Sequence, residues 1–149
     1  MTITIRQAKP YDVPDIVSLA VESVSIDPLP VTISRTAMRE MVQQCISSPA
    51  HFCWVSERNG QVVGAMVALV QPGFWFERLQ CSVLLYYSRE VGGMVPLFRR
   101  FASWVKERPA IKMAGFELEP NADPRLVRVL KRLGFTREST NVTFVRGKA

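Results

Sequence analysis

The chain has 149 residues, of which 48% are hydrophobic and 21% charged, enough for a single domain spanning 1–149 with its own core. Its net charge of +6 and pI near 9.7 suit a polyanionic partner, nucleic acid or a phosphorylated small molecule, yet no RNA-binding aromatic signature or zinc-finger spacing accompanies the basic residues. No apolar run reaches the roughly 18–20 residues of a membrane span, and Met1–Arg6 has no signal-peptide core, so a soluble cytoplasmic protein is expected. Cys45, Cys53 and Cys81 are odd in number, scattered and set among apolar residues, and only His51 could join them on a metal. Core thiols are expected, with no disulfide framework and no metal.

In chain order, Ile3–Ala8 alternates and predicts a strand. Asp12 is the expected N-cap of a helix over Val13–Val24, with Pro14 in its tolerant first turn. Asp27–Pro30 holds two prolines and is a loop. Thr32 or Ser34 then caps a helix to about Ile46, whose Ala37, Met38, Met41, Val42 and Cys45 form a stripe that is either core or substrate lining. Phe52–Glu57 and Gln61–Val70 form a hairpin about Asn59-Gly60, and Gly64 marks a bulge or a close backbone neighbour. Phe74-Trp75-Phe76 reads as core or as the apolar wall of a pocket.

The stretch that follows organises the chain. Leu79–Tyr87 is an apolar strand with Leu79, Cys81, Val83 and Leu85 on one face and Ser82 and Leu84 on the other. It breaks at Ser88–Gly93 and restarts as a helix over Met94–Glu107. Two adjacent glycines let the backbone turn tightly and lie close to a ligand, and the first turn of the helix offers free N–H groups to an anion. A strand over Ile111–Glu119 comes next, then a helix capped by Asp123 with Pro124 at its first position, stopped after Leu133 by Gly134. Phe135 enters a last strand pair, whose clearer member is Val142–Arg146.

This order, β-α-α-β-β-β-α-β-α-β, resembles the Gcn5-related N-acetyltransferase (GNAT) superfamily. Arg89-Glu90-Val91-Gly92-Gly93-Met94 is similar to the family's Q/R-x-x-G-x-G/A turn, departing at Met94. Asp123 to Phe135 keeps the spacing and Gly-Phe ending of the family's N-x-x-A-x-x-L-Y-x-x-x-G-F pattern, with Leu130 where the tyrosine commonly stands. The hairpin Trp54–Ala65 looks like the family's second and third strands, and the ending Asn141–Arg146 resembles short GNAT proteins carried by bacteriophages. The implied fold is α/β (α+β): a mixed sheet of six to seven strands with about four helices, strands four and five splayed.

The resemblance implies an N-acyltransferase using acetyl-CoA or another acyl-CoA, with no metal. The pantetheine arm would pair with the main chain of Leu84, Leu85 and Tyr86, and the diphosphate would sit on the N–H groups of Arg89, Glu90, Val91, Gly92, Gly93 and Met94. Asn121 and Asp123 would lie near the thiol end, and Arg99, Arg100 or Arg125 near the adenosine phosphates. Acyl transfer needs a base for an amine of pKa near ~10.4; Glu77, Glu117 and Glu119 are the candidates. An N–H near Leu85 would serve the oxyanion, and Tyr86, Tyr87 or water would protonate the departing thiolate in place of the missing tyrosine. The acceptor is an amine-bearing small molecule or protein, and a homodimer through edge strands is common among relatives. Met94, Pro96 and Leu130 leave an alternative, a GNAT-fold protein-binding module without catalysis; the basic charge leaves a nucleic-acid binder.

Overall fold

The computed structural model describes residues 2–119 and 122–147. Its elements run β1 (Thr4–Gln7), a 3-10 turn (Pro10–Asp12), α1 (Val13–Ile26), α2 (Arg35–Ser47), β2 (Phe52–Arg58), β3 (Gln61–Pro72), β4 (Leu79–Ser88), α3 (Val95–Lys106), β5 (Ile111–Gly115) and α4 (Pro124–Arg132). The strands lie in the order β1-β2-β3-β4-β5, antiparallel except for the parallel β4–β5 pair. Asn59 and Gly60 both take positive φ (54° and 75°), the geometry of a tight hairpin turn, as the Asn-Gly pair predicts. Ser34 caps α2 by accepting from the Ala37 N–H at 3.1 Å.

The sheet is covered on both faces. Val13, Ile16, Val17 and Leu19 of α1 and Val42 and Cys45 of α2 pack on one side, against Cys53, Val55, Ala65, Val67 and Leu85. Leu97, Phe98, Phe101 and Trp104 of α3 and Leu130 of α4 pack on the other, against Phe52, Met66 and Cys81.

Three expectations are corrected. The sheet has five strands among the described residues, not six to seven: Phe135 ends in a packed turn, and residues 136–147 join no ladder, although 142–146 carry the alternation of a strand. β5 stops at Gly115 rather than continuing to Glu119. Leu85 does not share a face with Leu79, Cys81 and Val83. An extra residue, Leu84, sits between the pairs Val83↔Ala68 and Leu85↔Val67, and such a bulge reverses the alternation. Leu79, Cys81, Val83 and Tyr86 therefore face α3, while Leu85 and Tyr87 face α1 and α2.

Candidate functional site

The turn between β4 and α3 is built on small residues. Gly92 has φ +89°, which disfavours any side chain, and a Cβ there would meet nothing within 4 Å. Gly93 is buried for a different reason: a Cβ there would strike the Ser88 hydroxyl and lie 3.2 Å from Ser56 Oγ. Gly64 completes the seat, since its Cβ would lie 2.5 Å from Ser56 Oγ. The expected bulge is beside it, between Ser56 and Glu57, leaving Val63 unpaired so that its carbonyl accepts from the Arg89 N–H at 2.8 Å. Ser88 Oγ donates to the Glu90 carbonyl at 2.8 Å, and Gly93 N–H reaches that carbonyl at 3.2 Å.

The remaining donors of the turn, the N–H groups of Val91, Gly92, Met94 and Val95, have no acceptor among the described residues. No side chain caps α3. Open space at Gly92 beside unpaired amides at a helix start suits an anionic group. Met94, the departure from the family turn, does not fill this space; its side chain packs with the core under α3. The charged side chains of the turn are tied outward, Arg89 to Glu22 of α1 at 2.7 Å and Glu90 to Arg58 of β2 at 2.7 Å. Neither partner was legible in the sequence, because both ties cross between elements.

β4 leads from this turn into a parting of strands. Its ladder with β5 runs from Leu79↔Ile111 to Ser82↔Gly115 and ends there, while β4 continues to Ser88 on β3. On the side that faces β5, the edge of β4 from Val83 onward, including Leu84, Leu85 and Tyr86, has no strand beside it among the described residues. Tyr86 spans the gap: its phenol donates to the Glu117 carbonyl at 2.9 Å, and its ring meets Phe116 edge-on at 5.6 Å. Burial, then the charges of Glu119 and Glu117, push the Tyr86 hydroxyl above its ordinary value. Glu117 and Glu119 are exposed and alternate with half-buried Phe116 and Leu118, but they lie in the irregular segment beyond β5 rather than on the strand face expected for them; their charges reach Tyr86.

The other sequence candidates lie elsewhere. Glu77 precedes β4 at the end away from the turn, eight residues from Leu85, roughly 26 Å at strand rise. Asp123 is the cap of α4, accepting from Arg125 N–H at 2.9 Å and pairing with its guanidinium at 2.9 Å; those hydrogen bonds hold its carboxyl below the usual range. Asn121 lies outside the described residues. Leu130 is buried at 4% exposure under α3, so it supplies packing. His51 is a strand-edge residue whose Nδ1 accepts from Val70 N–H at 3.0 Å. Phe74 and Trp75, expected in core or pocket wall, are instead 80% and 81% exposed.

On the opposite face the bulge opens onto a cavity of about 340 Å³ between α1 and α2. Ala20, Ser23 and Val24 form one wall, Ala37, Met38, Met41 and Val42 another, and Val67, Leu84 and Leu85 the floor. The methionine stripe of α2 thus serves both as core and as lining.

Five strands parted after the fourth, with a glycine turn at the parting, make a GNAT-like fold, and solved acetyltransferases share it. A predicted acetyltransferase with acetyl-CoA from Clostridium acetobutylicum matches 96% of each chain at 16% identity and TM-score 0.73. An aminoglycoside acetyltransferase from an uncultured soil metagenomic sample, in complex with sisomicin, matches 99% of this chain and 97% of its own at 13% identity and TM-score 0.68. The ribosomal-protein-alanine N-acetyltransferase of Brucella melitensis matches 98% and 99% at 14% identity and TM-score 0.67. At these identities the likeness is one of fold. No protein-family model matches the sequence, and no curated protein does. No helix among the described residues is long and apolar enough to cross a membrane, and no described His, Cys, Asp and Glu residues cluster as a metal site.

Proposed function

We propose that the chain is an N-acetyltransferase that takes an acyl group from acetyl-CoA and passes it to an amine by direct attack. The single observation that carries this reading is the parting of β4 from β5 after Ser82, with a bulge at Leu84 along the opened edge and unpaired amides at its end. When bound, acetyl-CoA supplies a thioester. The free edge at Leu84, Leu85 and Tyr86 would align the arm that carries it, and the N–H groups of Val91, Gly92, Met94 and Val95 would receive its diphosphate. A main-chain N–H near Leu85 steadies charge on the thioester oxygen. Glu117 and Glu119 take the proton of the incoming amine, directly or through water. Tyr86, kept protonated by its raised pKa, returns a proton to the thiolate.

A relay through an acyl-cysteine has no support, because burial pushes Cys45 to about 11 and Cys53 and Cys81 to about 12. Tyr86→Phe is expected to lower kcat about 100-fold, with KM for acetyl-CoA within threefold and the basic limb of the kcat profile removed. An unchanged kcat would remove Tyr86 from the proton path. The second reading, a protein-binding module, is favoured by Leu130, a core residue where the family commonly has its proton donor. Titration calorimetry with CoA and acetyl-CoA separates the two, since the module gives no heat at high micromolar ligand.

A further inference from the structure

The cavity between α1 and α2 meets the edge proposed for the CoA arm only at Leu84 and Leu85, and its chemistry restricts what can enter. Among the described residues Ser23 is the only one with a polar side chain in its lining, and none that is charged lines it. A polycation or sugar pressed into such a space loses water and gains no partner. The volume of about 340 Å³ falls at the small end of small-molecule pockets. Met38 and Met41 give two adaptable thioether walls. The floor is Leu84 and Leu85, so a group seated here lies against the bulged, opened part of β4.

Exposed apolar residues also follow α1 in sequence. Of the lining residues, Val24 is 40% exposed and Leu84 47%; Ile26 at the end of α1 is 71% exposed, and Leu29 and Val31 of the α1–α2 connection are each 59% exposed. We infer that the acceptor is a primary amine bearing an uncharged alkyl or aryl group, and that this group occupies the cavity with the amine turned toward Leu84 and Leu85. The inference rests on the transferase reading and adds the substrate class to it. The transfer itself is balanced: the amine nitrogen bonds to the acyl carbon, the C–S bond breaks, and one amine proton ends on the CoA sulfur.

The test uses the full chain with saturating acetyl-CoA and the straight-chain amines from ethylamine to hexylamine, with phenylethylamine, spermidine and an aminoglycoside for contrast. Each added methylene is expected to raise kcat/KM about three- to fourfold until the cavity is filled, with spermidine and the aminoglycoside poorest. Val24→Glu, a change at an exposed helix position, is expected to lower kcat/KM for hexylamine at least tenfold while KM for acetyl-CoA stays within twofold. A flat series, or a preference for spermidine, overturns the inference and leaves the transferase standing. So does a Val24→Glu enzyme unaltered toward hexylamine but altered in its choice between octanoyl-CoA and acetyl-CoA, which assigns the cavity to the acyl chain. If no amine releases CoA, the transferase reading fails, and equilibrium dialysis of hexylamine then reads the cavity directly. Saturable binding weakened by Val24→Glu sustains an apolar amine site, and no binding ends it.

Discussion

The two faces of the sheet are packed in opposite styles. Under α3 and α4 the core is aromatic: Phe101 meets Phe52 at 5.1 Å, Phe116 at 5.6 Å, Phe135 at 5.9 Å and Trp104 at 6.0 Å. Under α1 and α2 the core is aliphatic and thioether, and it leaves an opening against β4. That side is anchored instead by a salt bridge at its edge, where Asp12, 2% exposed, receives both guanidinium nitrogens of Arg6 at 2.7 and 2.9 Å and the Lys9 N–H at 2.7 Å. The glycine turn rests on the aromatic side, through Ser56, Gly64 and Ser88. An aromatic face thus carries the glycine turn, and an aliphatic and thioether face carries the cavity.

Substitutions can break or sharpen this contrast. The largest effect is expected from Phe101→Ala, which should cost about 3–5 kcal/mol of unfolding free energy in denaturant titration, against about 1 kcal/mol for Met41→Ala beside the cavity. Equal losses would show that the faces are equally tight. Gly93→Ala drives a methyl into Ser88, and the resulting displacement of the turn should weaken acetyl-CoA binding about 100-fold by calorimetry. Undiminished affinity would free the turn from its seat.

Asp12→Asn tests the ionic anchor. Burial opposes the Asp12 charge, but the Arg6 and Lys9 hydrogen bonds outweigh it and set the folded pKa below the ordinary 3.8. A lowered folded pKa means stabilisation present above the unfolded value and lost as pH falls through the folded one. The variant should therefore be about 2 kcal/mol less stable at pH 7, discounted for the part-exposed Arg6, and the gap should close below pH 3.8. A gap constant with pH would refute it. The smallest effect concerns Ser56, whose fully buried Oγ has no partner among the described residues. Ser56→Ala should gain up to about 1 kcal/mol, read as a higher denaturation midpoint; a loss would show that the hydroxyl is paired.

Local signals in the sequence were read well where one residue type is demanded by geometry. Asn59-Gly60, the Ser34 cap, Asp123-Pro124 and Gly134 at φ +110° all sit where their chemistry requires. The bulge was invisible for a physical reason: Leu84 and Leu85 are identical, so a one-residue slip leaves the pattern of side chains unchanged. Residues 142–146 alternate like a strand, yet strand preference expresses a fit to neighbours rather than a property of the segment. The glycine pair was read as one device and is two, a backbone angle at Gly92 and a close approach at Gly93. The cavity could not be read at all, since it depends on how far α1 stands from α2.

The order of strands has a consequence for crowded solutions. The long strands, β3 with 12 residues and β4 with 10, lie inside the sheet, and the flanks are β1 with four residues and β5 with five. Each flank carries a basic side chain, Arg6 or Lys112, beside its unmatched main-chain groups. Short, charged borders at β1 and β5 give a second molecule little to zip against, which leaves the opened stretch of β4 beyond Ser82 as the longer template for misassembly at high concentration.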